Sequence, residues 1–265
     1  MKTISVVASL VVFIWLATDS IARETVLPDI AVVNRNDEGA IVGIRLTGKS
    51  NRERLTLSTE TIDSLSQLTE LESLSLWGTT VGDDDLRKLK SLKQLRTIDL
   101  SFTDVTGASL QTLSALENLV SVRFDSCDVT DQHLAELESM PQLAMLYLRA
   151  TKVTDRGLKH LRFLDQLLLL ELSDCKISDA GLISLGDLPV IQHLWLSKTI
   201  RHGTDDRSDL TDNCVDYLST LDSLLDLRIA DSRITEPALE QLRRALPNTT
   251  INTTRTGVTY LSSKK

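Results

Sequence analysis

One stretch recurs along this chain and limits what it can fold into. The copies begin at Leu71, Leu95, Leu119, Leu143 and Leu167, each 24 residues after the last, with further copies at Ile191 and Leu224. Self-similarity at this period is the signature of a solenoid, in which one supersecondary unit stacks on the next. Each unit has two halves. The first reads L-x-x-L-x-L, as in LAMLYL (Leu143–Leu148), and alternates inward and outward as a short strand requires. The second reads V-T-D-x-x-L-x-x-L-x-x-L, as in VTDRGLKHLRFL (Val153–Leu164), with an apolar stripe that predicts a short helix.

Between the halves a hydroxyl residue stands at each helix start: Thr106, Thr130, Thr154, Ser178, Thr211 and Thr235. Its oxygen is placed to accept from free amides of the first turn. Asp131, Asp155, Asp179 and Asp212 follow, where a carboxylate favours the positive end of the helix dipole. A second ladder closes each strand: Thr79, Thr103, Cys127, Thr151, Cys175, Thr199 and Ser232. These small residues are expected to turn inward toward backbone. One unit cannot bury its Leu face alone, so the units must share a core. With aromatics at only 4%, Leu does the packing.

The L-x-x-L-x-L-x-x-[TC]-x-[VI]-[TS]-D-x-x-L pattern covers roughly residues 41–252. In it the chain resembles leucine-rich repeat proteins, most closely the cysteine-containing type, which has Cys or Thr where other types carry Asn. Secreted bacterial repeat proteins rich in V-T-D-x-G-L units look especially similar. The resemblance implies an α/β solenoid, with parallel strands on the concave face and short helices on the convex face. It also implies binding far more often than catalysis.

The ends read differently. Residues 1–22 look like a signal peptide: Lys2, then an uncharged apolar segment of 14 residues from Ile4 to Ala17, then Ser20 and Ala22 spaced for cleavage before Arg23. That segment is short for a membrane span, which needs about 20 residues. The repeats are thus expected outside the cytoplasm, secreted or in the periplasm or cell envelope. They would be membrane-tethered only if the signal is retained. Residues 23–40 are expected to form an N-terminal cap, with DIAVV and AIVGIRL as a hairpin around Asn34–Gly39. Residues 41–252 form the repeat domain and 253–265 a polar tail. A polar loop around KSNRER interrupts the first repeat, and IRHGTDDRSD (200–209) lengthens the sixth. Such insertions in solenoids often lie on the binding side.

The net charge is −8 and stays so without residues 1–22, which carry Lys2 and Asp19. An acidic chain without a basic run argues against nucleic acid and anionic membranes. Cys127 and Cys175 share a ladder position two repeats apart, roughly 10 Å at strand spacing, too far for a disulfide. Cys214 lies on the helical side, so three reduced structural thiols are expected.

Strand residues pointing away from the core form the candidate binding face. Its middle column is Ser75, Asp99, Arg123, Tyr147, Glu171, Trp195 and Arg228. Trp77, Ser101, Asp125, Arg149, Ser173 and Ser197 flank it on one side, and Met145, His193 and Asp226 on the other. Trp, Tyr and Arg dominate interface energetics, so Tyr147, Trp195, Arg149 and Arg123 are the anchors of a protein or peptide ligand. The bland alternative is a mixed sheet surface with lateral pairs such as Asp99 beside Arg123. The spaced aromatics Trp77, Tyr147 and Trp195 also admit a carbohydrate or cell-wall ligand. An intracellular ubiquitin-ligase-type adaptor would need a helical recruiting domain upstream, where only 40 residues precede the repeats.

No G-x-S-x-G, H-E-x-x-H, C-x-x-C or phosphate-cradling glycine loop occurs. Neither catalysis nor a cofactor is expected. His202, Asp205, Asp206 and Asp209 lack the D-x-D-x-D-G pattern of a cation loop. His133 and His160 are expected exposed on helix faces. Asn248 and Asn252 begin N-x-T triplets, which matter only in a host that glycosylates secreted proteins.

Overall fold

The computed structural model describes residues 31–50, 52–198 and 209–254. The signal segment, most of the 200–209 insertion and most of the polar tail fall outside those residues. The strand runs form β3 (Ser73–Ser75), β4 (Thr97–Asp99), β5 (Ser121–Arg123), β6 (Met145–Tyr147), β7 (Leu169–Glu171), β8 (His193–Trp195) and β9 (Asp226–Arg228). β1 (Val32–Arg35) and β2 (Ile41–Arg45) precede them, and β10 (Thr250–Asn252) follows. All ten lie in one sheet in sequence order. β2 to β10 run parallel. β1 turns back antiparallel on β2 and covers the open end of the stack.

The register repeats without slippage. Leu74, Ile98, Val122, Leu146, Leu170, Leu194 and Leu227 align in one column, and none is more than 2% exposed. They belong to one continuous buried cluster from Ile41 to Leu246. The fold is a leucine-rich-repeat solenoid, with strands on the concave face and helical turns on the convex one.

The helical halves differ from the sequence-based expectation in winding. Several are 3₁₀ turns: Asp131–Ser139, Lys159–Phe163 and Asp179–Leu185. The Leu spacing permits this without requiring it, since the same spacing is wound as α-helix over Thr59–Leu65 and Cys214–Leu218. Apolar residues every three positions match three residues per turn, not 3.6. Regular α-helix is longest in the last unit, Glu236–Ala245, where Leu239 and Leu242 alone are the buried leucines.

The hydroxyl caps the helix at Thr106, Thr154 and Thr211, but Thr130, Ser178 and Thr235 make no such side-chain bond. Thr106 accepts from the Ala108 amide (3.2 Å) and Thr154 from the Arg156 amide (3.3 Å). The following Asp does more than complement a dipole. Asp131 accepts both the amide and the hydroxyl of Thr154, each at 2.7 Å. Asp155 binds Ser178 in the same way, Asp179 binds Thr211, and Asp212 binds Thr235. Each carboxylate thus ties its own repeat to the next. The Gly of V-T-D-x-G-L leaves room for it: a Cβ on Gly157 would stand 2.6 Å from Asp131 Oδ1.

The strand-end ladder turns inward at Thr79, Thr103, Cys127, Thr151 and Cys175, while Ser232 is only half-buried. Thr103 Oγ1 donates to the Leu100 carbonyl (2.6 Å) and Thr151 to that of Leu148 (2.7 Å). Cys127 and Cys175 thiols donate to the same two carbonyls, each at 3.1 Å. The three cysteines are free and buried. Just before six of the ladder residues the backbone turns left-handed, at Gly78, Phe102, Ser126, Ala150, Asp174 and Asp231.

His133 and His160 are half-buried and partnered, not exposed. His160 Nδ1 meets Glu138 Oε1 at 2.9 Å. The loop around KSNRER sends Arg54 to the Thr79 carbonyl and, at 2.8 Å, to Asp104.

Candidate functional site

The unbroken register places Ser75, Asp99, Arg123, Tyr147, Glu171, Trp195 and Arg228 side by side across the concave face. From Arg123 to Arg228 the row is tightly coupled. The Arg123 guanidinium lies 4.1 Å from the centre of the Tyr147 ring, and that of Arg228 lies 4.0 Å from the Trp195 ring. Both contacts are cation–π stacks. The two rings meet edge to face, with centroids 6.2 Å apart. β6 and β8 are separated by β7, about 9.6 Å at the usual strand spacing. The rings therefore lean toward each other across Glu171, which is 8% exposed.

Acidic residues pin the row. Asp226 Oδ2 accepts from the Trp195 indole (2.8 Å) and from Arg228 Nε (2.9 Å), while its other oxygen accepts from Asn252 (2.8 Å). The Asn252 side chain is therefore engaged on the concave face. Asp125 pairs with Arg123 at 3.2 Å and accepts the Arg149 amide. The Asp99–Arg123 pair anticipated from the sequence is replaced by this one. Asp125 lies two residues ahead on the same edge, and Asp99 instead accepts the Ser101 amide (3.0 Å). Arg149 pairs with Asp174 at 3.2 Å.

Burial shapes the electrostatics. It pushes the Glu171 carboxyl up to about 7, against a hydrogen bond from the Ser173 amide at 2.6 Å. Burial also raises Asp125, despite Arg123 beside it, and raises the Tyr147 hydroxyl. For Arg123, burial works against the charge, but Asp125 and Asp99 outweigh it and raise the value.

Arg123, Tyr147, Glu171, Trp195 and Arg228 are thus brought together, with Arg149 alongside. His193 is half-buried in the neighbouring column, in register with Leu169 and Asp226. Trp77 stands apart, at the N-terminal end of the face. Its partner is Phe102, with ring centroids 5.4 Å apart. Phe102 and Asp174 were missed from the sequence because both occupy the left-handed turn (φ 58° and 62°), just beyond the strand pattern. The recurring residue before each Thr or Cys of the ladder was the available signal. Of the insertion's acids, Asp209 is described; its backbone bridges Ser178.

The folded chain is a leucine-rich-repeat solenoid that presents a charged and aromatic row on its concave side. Among solved structures it is similar to an internalin, inlF, of Listeria monocytogenes, with 19% identity and a TM-score of 0.55. That match covers 77% of this chain and 59% of the internalin, so this chain spans little more than half of it. A second internalin from the same organism, inlC2, is 23% identical with a TM-score of 0.47, over 66% of this chain and 79% of that one. No protein-family model matches the sequence. No curated protein matches it either.

Proposed function

We propose that this chain is an exported binding module whose concave row docks a protein or peptide. One observation carries the reading: two aromatic rings and two stacked arginines are held ready in the middle of the face by buried Asp125 and half-buried Asp226. Such preorganised Tyr, Trp and Arg anchors supply most of the energy of protein interfaces. Asp226 fixes Trp195 and Arg228 together, so little side-chain freedom is lost on docking. The likeness to internalins supports the scaffold alone. The chain is read as the cysteine-containing, V-T-D-x-G-L type, with 1–22 as signal, 23–40 as cap, 41–252 as repeat domain and 253–265 as tail.

A carbohydrate ligand is the weaker reading, because sugars need free ring faces. Arg123 covers Tyr147, Arg228 covers Trp195, and Trp77 packs on Phe102.

The test is affinity capture from an envelope extract with the wild-type chain and a Tyr147→Ala/Trp195→Ala variant. Loss of a captured protein in the variant is expected. An unchanged partner set overturns the concave site. Export is tested separately by the N-terminal residue of the mature protein: Arg23 outside the cytoplasm is expected, and intact Met1 in the cytosol contradicts it.

A further inference from the structure

The arginines of the concave row are already matched. Arg123 pairs with Asp125, Arg149 with Asp174 and Arg228 with Asp226. Glu171 differs. Among the described residues no cation lies within ion-pair distance of its carboxylate, which is hydrogen-bonded by Ser173 alone and feels Arg149 only at longer range. The strand order makes its position unusual. Arg123 reaches Tyr147 from the side away from Glu171, and Arg228 reaches Trp195 from the opposite side. Cation and ring alternate across the face, and at the centre stands a buried acid where the third cation would complete the series.

Resting on the concave-face reading above, we propose that the partner supplies that cation: a lysine or arginine side chain enters between Tyr147 and Trp195 and ion-pairs with Glu171. A carboxylate under two rings is poorly hydrated, so an incoming cation recovers more than it would on an open surface. The two rings flank its path. They touch in the free chain, so Tyr147 must turn aside while Asp226 keeps Trp195 in place, a rotamer change of the kind common at interfaces. Repulsion from Arg123 and Arg228 is offset by Asp125 and Asp226, while Asp99 and the net charge of −8 draw a cation in.

Binding should depend on pH. The charged and titratable groups around Glu171 are Arg123 and Asp125 on β5 and just after it, Tyr147 and Arg149 with β6, Asp174 after β7, His193 on β8, and Asp226 and Arg228 on β9. A cation favours ionised Glu171, so affinity rises as pH rises through about 7.

The probes are N-acetyl-arginine amide and N-acetyl-citrulline amide, which share a shape and differ in charge. Each is titrated into the full chain at constant ionic strength, following the Trp195 indole and Glu171 carboxyl NMR signals. The expected result is binding of the arginine probe, strengthening with pH, and at least about tenfold weaker for citrulline and for Glu171→Gln. Glutamine retains the shape and can still accept from Ser173, and an unchanged backbone spectrum reports an intact fold. Equal response to both probes, or no response to either, overturns the proposal. So does wild-type binding by Glu171→Gln. Partner capture that survives Glu171→Gln but fails in Tyr147→Ala/Trp195→Ala keeps the docking face and removes only the cation.

Discussion

The imidazole of His133 fills the space beside Gly107 and takes over the work of a missing carboxylate. Gly107 stands where other repeats carry the bridging Asp, and a Cβ on it would fall on the His133 ring. His133 stands where the next repeat would carry its Gly. Its Nδ1 accepts the Thr130 amide at 3.2 Å, a bond that elsewhere goes to the preceding Asp. The two departures from the repeat answer each other across one interface.

Their coupling is measurable. Gly107→Asp alone forces a carboxylate against the ring. His133→Gly alone leaves a void and strips Thr130 of its acceptor. The double variant restores the Asp–Thr bridge and should recover stability, with a coupling of roughly 1–3 kcal/mol in urea melts. Additive losses would mean that the residues act independently.

The bridging Asp also explains the glycine of the repeat. Gly157→Ala brings a methyl to 2.6 Å from Asp131 Oδ1 and 3.0 Å from Leu134. The expected cost is about 1–3 kcal/mol, typical of overpacking, read as a lower denaturation midpoint. Gly181→Ala should behave alike, since its Cβ meets the Asp155 carboxylate. A neutral outcome would show that the repeats shift apart freely.

Much of this was legible in the sequence, and the reason is periodicity. Leu74, Ile98 and Val122 align because one strand repeats in register, so Tyr147, Glu171 and Trp195 necessarily share a row. The lean of two rings over Glu171 was not legible. It depends on Asp226 holding the Trp195 indole from the next strand, a choice of rotamer rather than of pattern. The Asp131–Thr154 bridge was hidden for a related reason. A local reading gave the carboxylate a role in its own helix, whereas its partner lies one repeat onward.

Glu171 should make stability depend on pH. Its carboxyl is raised in the folded chain from an ordinary 4.5 to about 7. Between those values the folded state holds a proton that the unfolded state has released. Stability is therefore full below the unfolded value and falls as pH rises through about 7. The loss should be on the order of 3 kcal/mol. Glu171→Gln should remove that part of the slope in denaturation curves taken across this range. A wild-type slope in the variant would assign the effect to other groups.

The thiols should resist modification. Burial pushes Cys175 up to about 11 and Cys214 up to about 12, and raises Cys127. The thiolate is the reactive form. Iodoacetamide at neutral pH should label the native chain no faster than it unfolds, and label all three thiols rapidly in denaturant. Fast labelling of Cys214 in native conditions would contradict its burial.

The most direct measurement of the concave docking face uses a photo-crosslinking benzoylphenylalanine in place of Tyr147, compared with the same group in place of Arg156 on the exposed convex side. Irradiation in an envelope extract should give a discrete crosslinked protein from the first and not from the second. Identical products from both positions, or none from Tyr147, would contradict a binding role for this face.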